Sequence, residues 1–192
     1  MVLKKRFFDI EIPIVGEETE LIAYELNEIN GKNIKLDLTR ILRGKNVELK
    51  AKIKVEGNKA IAYPIQLTVL PYYIRRAVRK GTNYVEDSFL IDCKDAQVRI
   101  KPFLVTRKKV SRSVRKALRE KAKKEILEYV KDKTAEEIFD DLIKNKIQKT
   151  LSLILKKIYP LSLCEIRSFE VIKSLELPTE EKPKKAKKNS EE

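Results

Sequence analysis

From Val47 onward, apolar and polar side chains alternate almost without a break. Val47, Leu49, Ala51, Ile53 and Val55 fall on one side of an extended chain, Gly57-Asn58 reverses it, and Ala60 to Leu70 runs back. Period-two alternation gives each strand one buried face and one wet face. In "ELIAYELNEINGKNIKLDL", Asn30-Gly31 separates two extended runs and predicts a two-residue hairpin, because both residues tolerate positive φ. Another strand pair is predicted around Lys94-Asp95 in "SFLIDCKDAQVRIKPFLV". Between them, "LDLTRILRGKN" predicts a short helix stopped by Gly44.

Near residue 112 the period lengthens. Val114, Leu118, Ala122 and Tyr129 come to one side at about 100° per residue, with Ser111 or Ser113 as N-cap. Thr134-x-x-Glu137 is a capping box, in which each side chain satisfies an orphan backbone amide of the other residue. The helix it opens carries Ile138, Leu142, Ile143, Ile147, Leu151, Ile154, Leu155 and Ile158 as a wide apolar stripe, and Pro160 stops it. "LSLCEIRSFEVIKSLEL" then reads as a strand returning to the sheet. The expected class is α+β: an antiparallel β-barrel-like core, two long helices of the C-terminal half packed beside it, and a returning C-terminal strand. Residues 1–177 are expected to form a single domain. Residues 178–192 have no apolar pattern and predict a disordered lysine-rich tail.

Charge changes the picture more than composition does. Lys+Arg outnumber Asp+Glu by 43 to 29, for a net charge of +14, and the tail contributes only one unit of it. A folded body that basic suits a polyanionic partner. Histidine is absent, which removes the commonest general base and metal ligand. Cys93 and Cys164 lie far apart without a Cys-x-x-Cys pair, each in an apolar run, and read as buried inert thiols of a reducing compartment. No metal or other cofactor is expected. "MVLKKRFFDIEIP" lacks the apolar core of a signal peptide, and no run approaches the roughly 18 apolar residues of a membrane span. A cytoplasmic protein with no membrane partner is therefore expected.

The positive charge is concentrated. "TRKKVSRSVRKALREKAKKE", residues 106–125, holds ten basic side chains and two acids. After the leading Arg107, Lys108 and Lys109, the residues Arg112, Arg115, Lys116, Arg119 and Lys123 share an arc of about 100°, opposite Val114, Leu118 and Ala122. An ordinary solvated face mixes signs, with Glu and Lys at i,i+4; Glu120 and Glu125 lie off this arc. A membrane-surface helix needs a bulkier apolar face than Val, Leu and Ala. Arginine's planar fork matches phosphate oxygens in two contacts. A second cluster, Arg75, Arg76, Arg79 and Lys80, is interleaved with Tyr72, Tyr73 and Tyr84, a mixture suited to unpaired nucleotides. Glu86 and Asp87 read as a salt link to Arg75 or Arg79, not as an acid–base pair. The lysines of the second helix, Lys144, Lys146, Lys149, Lys156 and Lys157, read as solvated. A free RNA-binding or RNA-processing protein is the alternative that uses the same surface; the missing histidine counts against its enzymatic form.

Several blocks occur in a recognisable order: "LRGKN", "YYIRRAVRKGTNYVEDSF", "VRIKPFLVTRKKVSRSVRKALREKAKKEI", the capping-box helix ending in "KKIYPL", and "CEIRSFEV". Over roughly residues 38 to 173 the chain resembles the small-subunit ribosomal protein family of archaea and eukaryotes called eukaryotic-type S-one, or S-three-a-e. The resemblance implies a non-enzymatic component of the small subunit, bound to ribosomal RNA on the platform near the messenger exit side, with a β-barrel-like core. It implies small-subunit ribosomal RNA and neighbouring ribosomal proteins as partners, with messenger RNA near the exit side as a further one. The family's basic blocks fall here on Arg75, Arg76, Arg79, Lys80, Arg107, Lys108, Lys109, Arg112, Arg115, Lys116, Arg119 and Lys123, which carry over as RNA contacts. Many relatives carry a longer basic leader, where this sequence has only Lys4, Lys5 and Arg6 before "FFDIEI".

Overall fold

The computed structural model describes residues 4–42, 44–57 and 59–174. In chain order these form β1 (Arg6–Ile12), β2 (Glu17–Ala23), β3 (Asn33–Asp37), β4 (Val47–Glu56), β5 (Lys59–Val69) and α1 (Pro71–Ala77). Then come β6 (Tyr84–Glu86), β7 (Phe89–Asp92), β8 (Ala96–Thr106), α2 (Arg112–Lys131), α3 (Ala135–Ile143), α4 (Lys146–Leu155) and β9 (Leu161–Ser174). The predicted tail lies outside the described residues.

Alternation holds where it was strongest. Val47, Leu49, Ala51 and Ile53 are all buried along β4, which pairs antiparallel with β5 from Val47↔Val69 to Glu56↔Lys59. The returning strand β9 sits in the middle of the sheet, antiparallel to β8 along its length and to β5 at Gln66–Thr68. Proline lacks the N–H a ladder requires, and both strand prolines adjoin a register shift: Ala51↔Pro64 follows Lys50↔Gln66, and Pro102↔Ile166 follows Lys101↔Ser168.

The sheet is not a barrel. Its hydrogen-bonded path runs β2-β1-β5-β9-β8-β6, with β3 and β4 on the far side of β5 and β7 beside β6 on β8, and no pairing among the described residues joins the ends. Nor is it wholly antiparallel: β1 runs parallel to β5 at Ile10↔Ala60 and Glu11↔Ile61. The Asn30-Gly31 hairpin is also absent, because β2 pairs with β1 and β3 with β4. A hairpin of the primed kind needs positive φ at both residues, but Asn30 sits at φ −59° and ψ 131° and only Gly31 is positive, at +78°. With Lys32 N–H donating to Ile29 O at 3.1 Å, this is a type II turn that redirects the chain into β3. The predicted helix before Gly44 reduces to turns, with Leu42 N–H reaching Leu38 O at 2.9 Å and Gly44 N–H reaching Thr39 O at 2.9 Å.

The helices cover one side of the sheet. Ile126 and Val130 of α2, Ile138, Phe139 and Leu142 of α3, and Ile147 and Leu151 of α4 share a core with Val98, Ile100 and Phe169 of the strands. Phe139 meets Phe169 edge to face, with ring centroids 4.6 Å apart at 89°. A second cluster fills the β1–β2 end around Ile10, Ile12 and Ile53, and a third, with Val85, Leu104, Leu118, Ala122 and Leu155, lies under the start of α2. Ser111 caps α2 and the Thr134–Glu137 box opens α3, as the spacing predicts. On α2 the buried stripe continues through Ile126 and Val130, leaving Tyr129 half-buried at its margin.

The second helix is not one long element. It breaks between α3 and α4 at Asn145, which lies in the left-handed region at φ 57° and ψ 25°. Asparagine tolerates that region better than most residues. Its side-chain oxygen accepts from Lys45 Nζ at 2.7 Å. Just before the break, buried Asp141 accepts from the Tyr129 hydroxyl at 2.8 Å, from Lys133, and from Lys146 Nζ at 2.9 Å. One carboxylate thereby joins α2, the α2–α3 turn, α3 and α4.

Cys93 is buried and Cys164 half-buried, and both are free thiols. Burial pushes the Cys93 thiol up to about 12, with Asp95 and Asp92 adding repulsion, and burial beside Glu165 pushes Cys164 up to about 12. At pH 8 the native thiols should therefore react with iodoacetamide about three orders of magnitude more slowly than in urea, where a thiol near 8.5 is partly ionised. Mass spectrometry of timed aliquots measures both rates; equal rates would show the thiols to be accessible thiolates. Among the described residues no helix is long and apolar enough to cross a membrane, and no group of three or more Cys, Asp or Glu is placed to hold a metal.

Candidate nucleic-acid interface

The two basic segments are brought together by a polar clamp. Thr106, fully buried at the end of β8, accepts from Asn83 N–H at 3.0 Å through its hydroxyl, which donates to Lys108 O at 2.7 Å. Thr106 N–H donates to Asn83 O at 2.8 Å, and the Asn83 side chain accepts from Val110 N–H at 2.9 Å. The turn carrying Arg79 and Lys80 is thus pinned to the link carrying Arg107, Lys108 and Lys109. Gly81 at φ +83° and the Thr82 hydroxyl, donating to Arg79 O at 2.7 Å, shape that turn. All five of these basic residues are exposed.

Arg75 and Arg76 occupy the last turn of α1, a helix begun by Pro71 and not foreseen from periodicity. Both point to solvent while Tyr73 and Ile74 pack against the main core. No hydrogen bond or ion pair among the described residues ties α1 to α2, so these two join the basic group only through the following loop.

On α2, Leu118 and Ala122 dock against Val85 and Leu104, which turns the arc of cations outward along β6. Arg112, Lys116, Arg119 and Lys123 are exposed, but Arg115 is half-buried, so the arc is not a plain solvent face. A cleft of about 290 Å³ opens there, lined by Tyr84, Val85, Arg112, Arg115, Lys116 and Arg119. It contains no acid. Tyr84 is 54% exposed, and its ring stacks on Phe103 with centroids 5.8 Å apart and planes 24° apart. Lys123 lies further along, its ammonium 5.6 Å from the centre of the Phe89 ring.

Of the residues expected to touch RNA, Lys116 alone has a carboxylate within ion-pair distance among the described residues, Glu120 at 3.7 Å, and that pair is exposed on both sides. The other acids of α2 are taken by its remaining lysines, as in Lys121–Glu125 at 2.7 Å and Lys124–Glu128 at 3.9 Å. The arc therefore keeps its charge. Lys144 and Lys146 are neutralised by Asp140 and Asp141 at 2.6 and 2.9 Å, whereas Lys149, Lys156 and Lys157 are exposed without such a partner among the described residues.

Glu86 pairs with Arg167 of β9 at 2.9 Å, not with Arg75 or Arg79, because β6 faces the centre of the sheet across β8. Asp87 accepts from Ser88 N–H at 2.9 Å. What the residue pattern did not disclose is the Asn83–Thr106 clamp and the cleft itself. Both depend on β6 and β8 lying side by side, which no local spacing encodes.

A model of the Ribosomal S3Ae family matches residues 2–174. A protein of Nanoarchaeum equitans called "Small ribosomal subunit protein eS1" is 28% identical over 174 residues, covering 86% of this chain and 88% of its own length. Proteins of the same name from Methanothermobacter thermautotrophicus and Halorubrum lacusprofundi are 29% and 28% identical over 138 and 172 residues. They cover 71% and 85% of this chain, and 71% and 80% of their own lengths.

Proposed function

The chain belongs to the Ribosomal S3Ae family, and from that membership we propose that it is a structural constituent of the small ribosomal subunit, acting in translation by binding ribosomal RNA. The match across residues 2–174 carries this reading. The surface supports it: Arg112, Arg115 and Arg119 stand without carboxylate partners among the described residues beside an exposed tyrosine, with Arg79, Lys80, Arg107, Lys108 and Lys109 pinned nearby. Arg75, Arg76, Lys116 and Lys123 extend the same field. Phosphate contacts of this kind supply affinity and position, while shape supplies the register.

The neighbours are ribosomal RNA and other small-subunit proteins, and the location is the ribosome in the cytoplasm. Messenger RNA leaving the subunit is a further polyanion that the same cations would hold, since phosphate contacts carry no sequence information. Residues 1–177 act as one unit in this reading, because β1 and β9 both pair with β5 in one sheet. No catalytic role is needed: Glu86 and Asp87, the one candidate acid pair, are engaged by Arg167 and by a backbone amide.

Sedimentation of a native extract tests the proposal. The protein should travel with small subunits in near-stoichiometric amount and stay with them through moderate salt washes. Recovery in the soluble top fractions at low salt would overturn it.

A further inference from the structure

We propose that the cleft between α2 and β6 holds one unstacked nucleotide of the bound RNA, its base on the open face of Tyr84 and its phosphate among Arg112, Arg115 and Arg119. The proposal rests on the reading of the protein as an RNA binder and assigns that surface a specific ligand. The Phe103 ring covers one face of Tyr84, yet Tyr84 remains 54% exposed, leaving a rigid aromatic platform in a cleft of cations. A base continues such a stack, and it does so whatever its identity, because every base has a π face.

Arg115 supplies a second, independent observation. Its Nε is buried and has no hydrogen-bond partner among the described residues. The side chain is half-buried at the cleft and has no carboxylate partner among the described residues, so it keeps its charge for an incoming phosphate. Arginine's guanidinium bonds phosphate oxygens through its terminal nitrogens. The lining offers no carboxylate to compete for it.

Size narrows the class. At about 290 Å³ the cleft stands at the low end of the roughly 300–1,000 Å³ that small-ligand sites occupy. That volume suits a ligand the size of one nucleotide. Bases within a duplex are already stacked and cannot reach Tyr84, so the ligand is a loop, bulge or free strand.

The test uses the full chain with a short single-stranded RNA carrying one 2-aminopurine, and the same sequence as a duplex. Bound single strand should quench the 2-aminopurine fluorescence. Tyr84→Leu keeps apolar bulk without a π face; it should abolish the quenching and weaken single-strand binding about tenfold or more. Its effect on the duplex should be several-fold smaller. Tyr24→Leu, at a comparably exposed tyrosine far from the cleft, should bind like the unchanged protein, and circular dichroism checks folding of both variants. Equal losses on single strand and duplex, or quenching that survives Tyr84→Leu, would overturn the assignment. If the unchanged protein still holds small-subunit ribosomal RNA in either case, the proposed function stands without the nucleotide site. If it binds no ribosomal RNA at all, both readings fall.

Discussion

With Arg112, Arg115, Lys116 and Arg119 all replaced by Gln, the slope of log K against log salt for a small-subunit ribosomal RNA fragment should fall by about three units. Each phosphate contact contributes roughly 0.7 to 0.9 to that slope, because each releases condensed counterions. Between 50 and 200 mM salt, three units correspond to a difference of about 60-fold in the affinity lost, well outside titration error. The fold should survive. Gln ranks close to Arg and Lys in helix propensity, and the docked face of Leu118 and Ala122 is untouched. The one ion pair lost among the described residues, Lys116–Glu120, is exposed and contributes little. Arg115 Nε has no partner among the described residues, so no hydrogen bond described for that nitrogen disappears. The control is Leu118→Ala, which removes a fully buried side chain and should cost about 2 to 5 kcal/mol of stability while leaving the slope intact. An unchanged slope in the quadruple variant would move the phosphate surface to Arg75, Arg76, Arg79 and Lys80.

Legibility followed how local each determinant is. The β4–β5 and β7–β8 hairpins were readable because period-two alternation and a turn lie within one short window. The caps at Ser111 and Thr134 were readable because each motif closes within four residues. Asn30-Gly31 misled because the same dipeptide serves two turn types, and the choice was made by the pairing of β3 with β4. The break at Asn145 was hidden because Ile143 and Ile147 keep an i,i+4 spacing straight through it. What decides it are contacts from Lys45, a hundred residues earlier, and the bonds to Asp141. The basic arc was legible as an arc. Its cleft was not, since a helical wheel shows Arg115 facing water, whereas in the fold it is half-buried and shares a cleft with Tyr84 and Val85 of β6.

Asp141→Asn should lower stability by about 2 kcal/mol at pH 6, and the gap to the unchanged protein should close to a few tenths near pH 2. Burial by itself would raise the carboxyl, but hydrogen bonds from Lys133, Lys146 and Tyr129 outweigh it and hold Asp141 at about 2, below the ordinary 3.8. A group lowered in the folded state stabilises above its unfolded value, and that stabilisation is lost as pH falls through the folded one. The window therefore runs from about pH 4 down to about pH 2. The cost stays below the 3 to 5 kcal/mol typical of a broken buried pair, because Lys133 and Lys146 are 30% and 57% exposed and regain water. Urea midpoints at half-unit pH steps measure the gap. A gap that stays constant with pH would mean that Asn is tolerated poorly for its shape, and that the ionised carboxylate is not what holds the three helices together. At neutral pH the variant should keep its salt slope on ribosomal RNA, because the carboxylate braces α2 through Tyr129, near its C-terminal end, while Arg112 to Arg119 lie toward the N-terminal one.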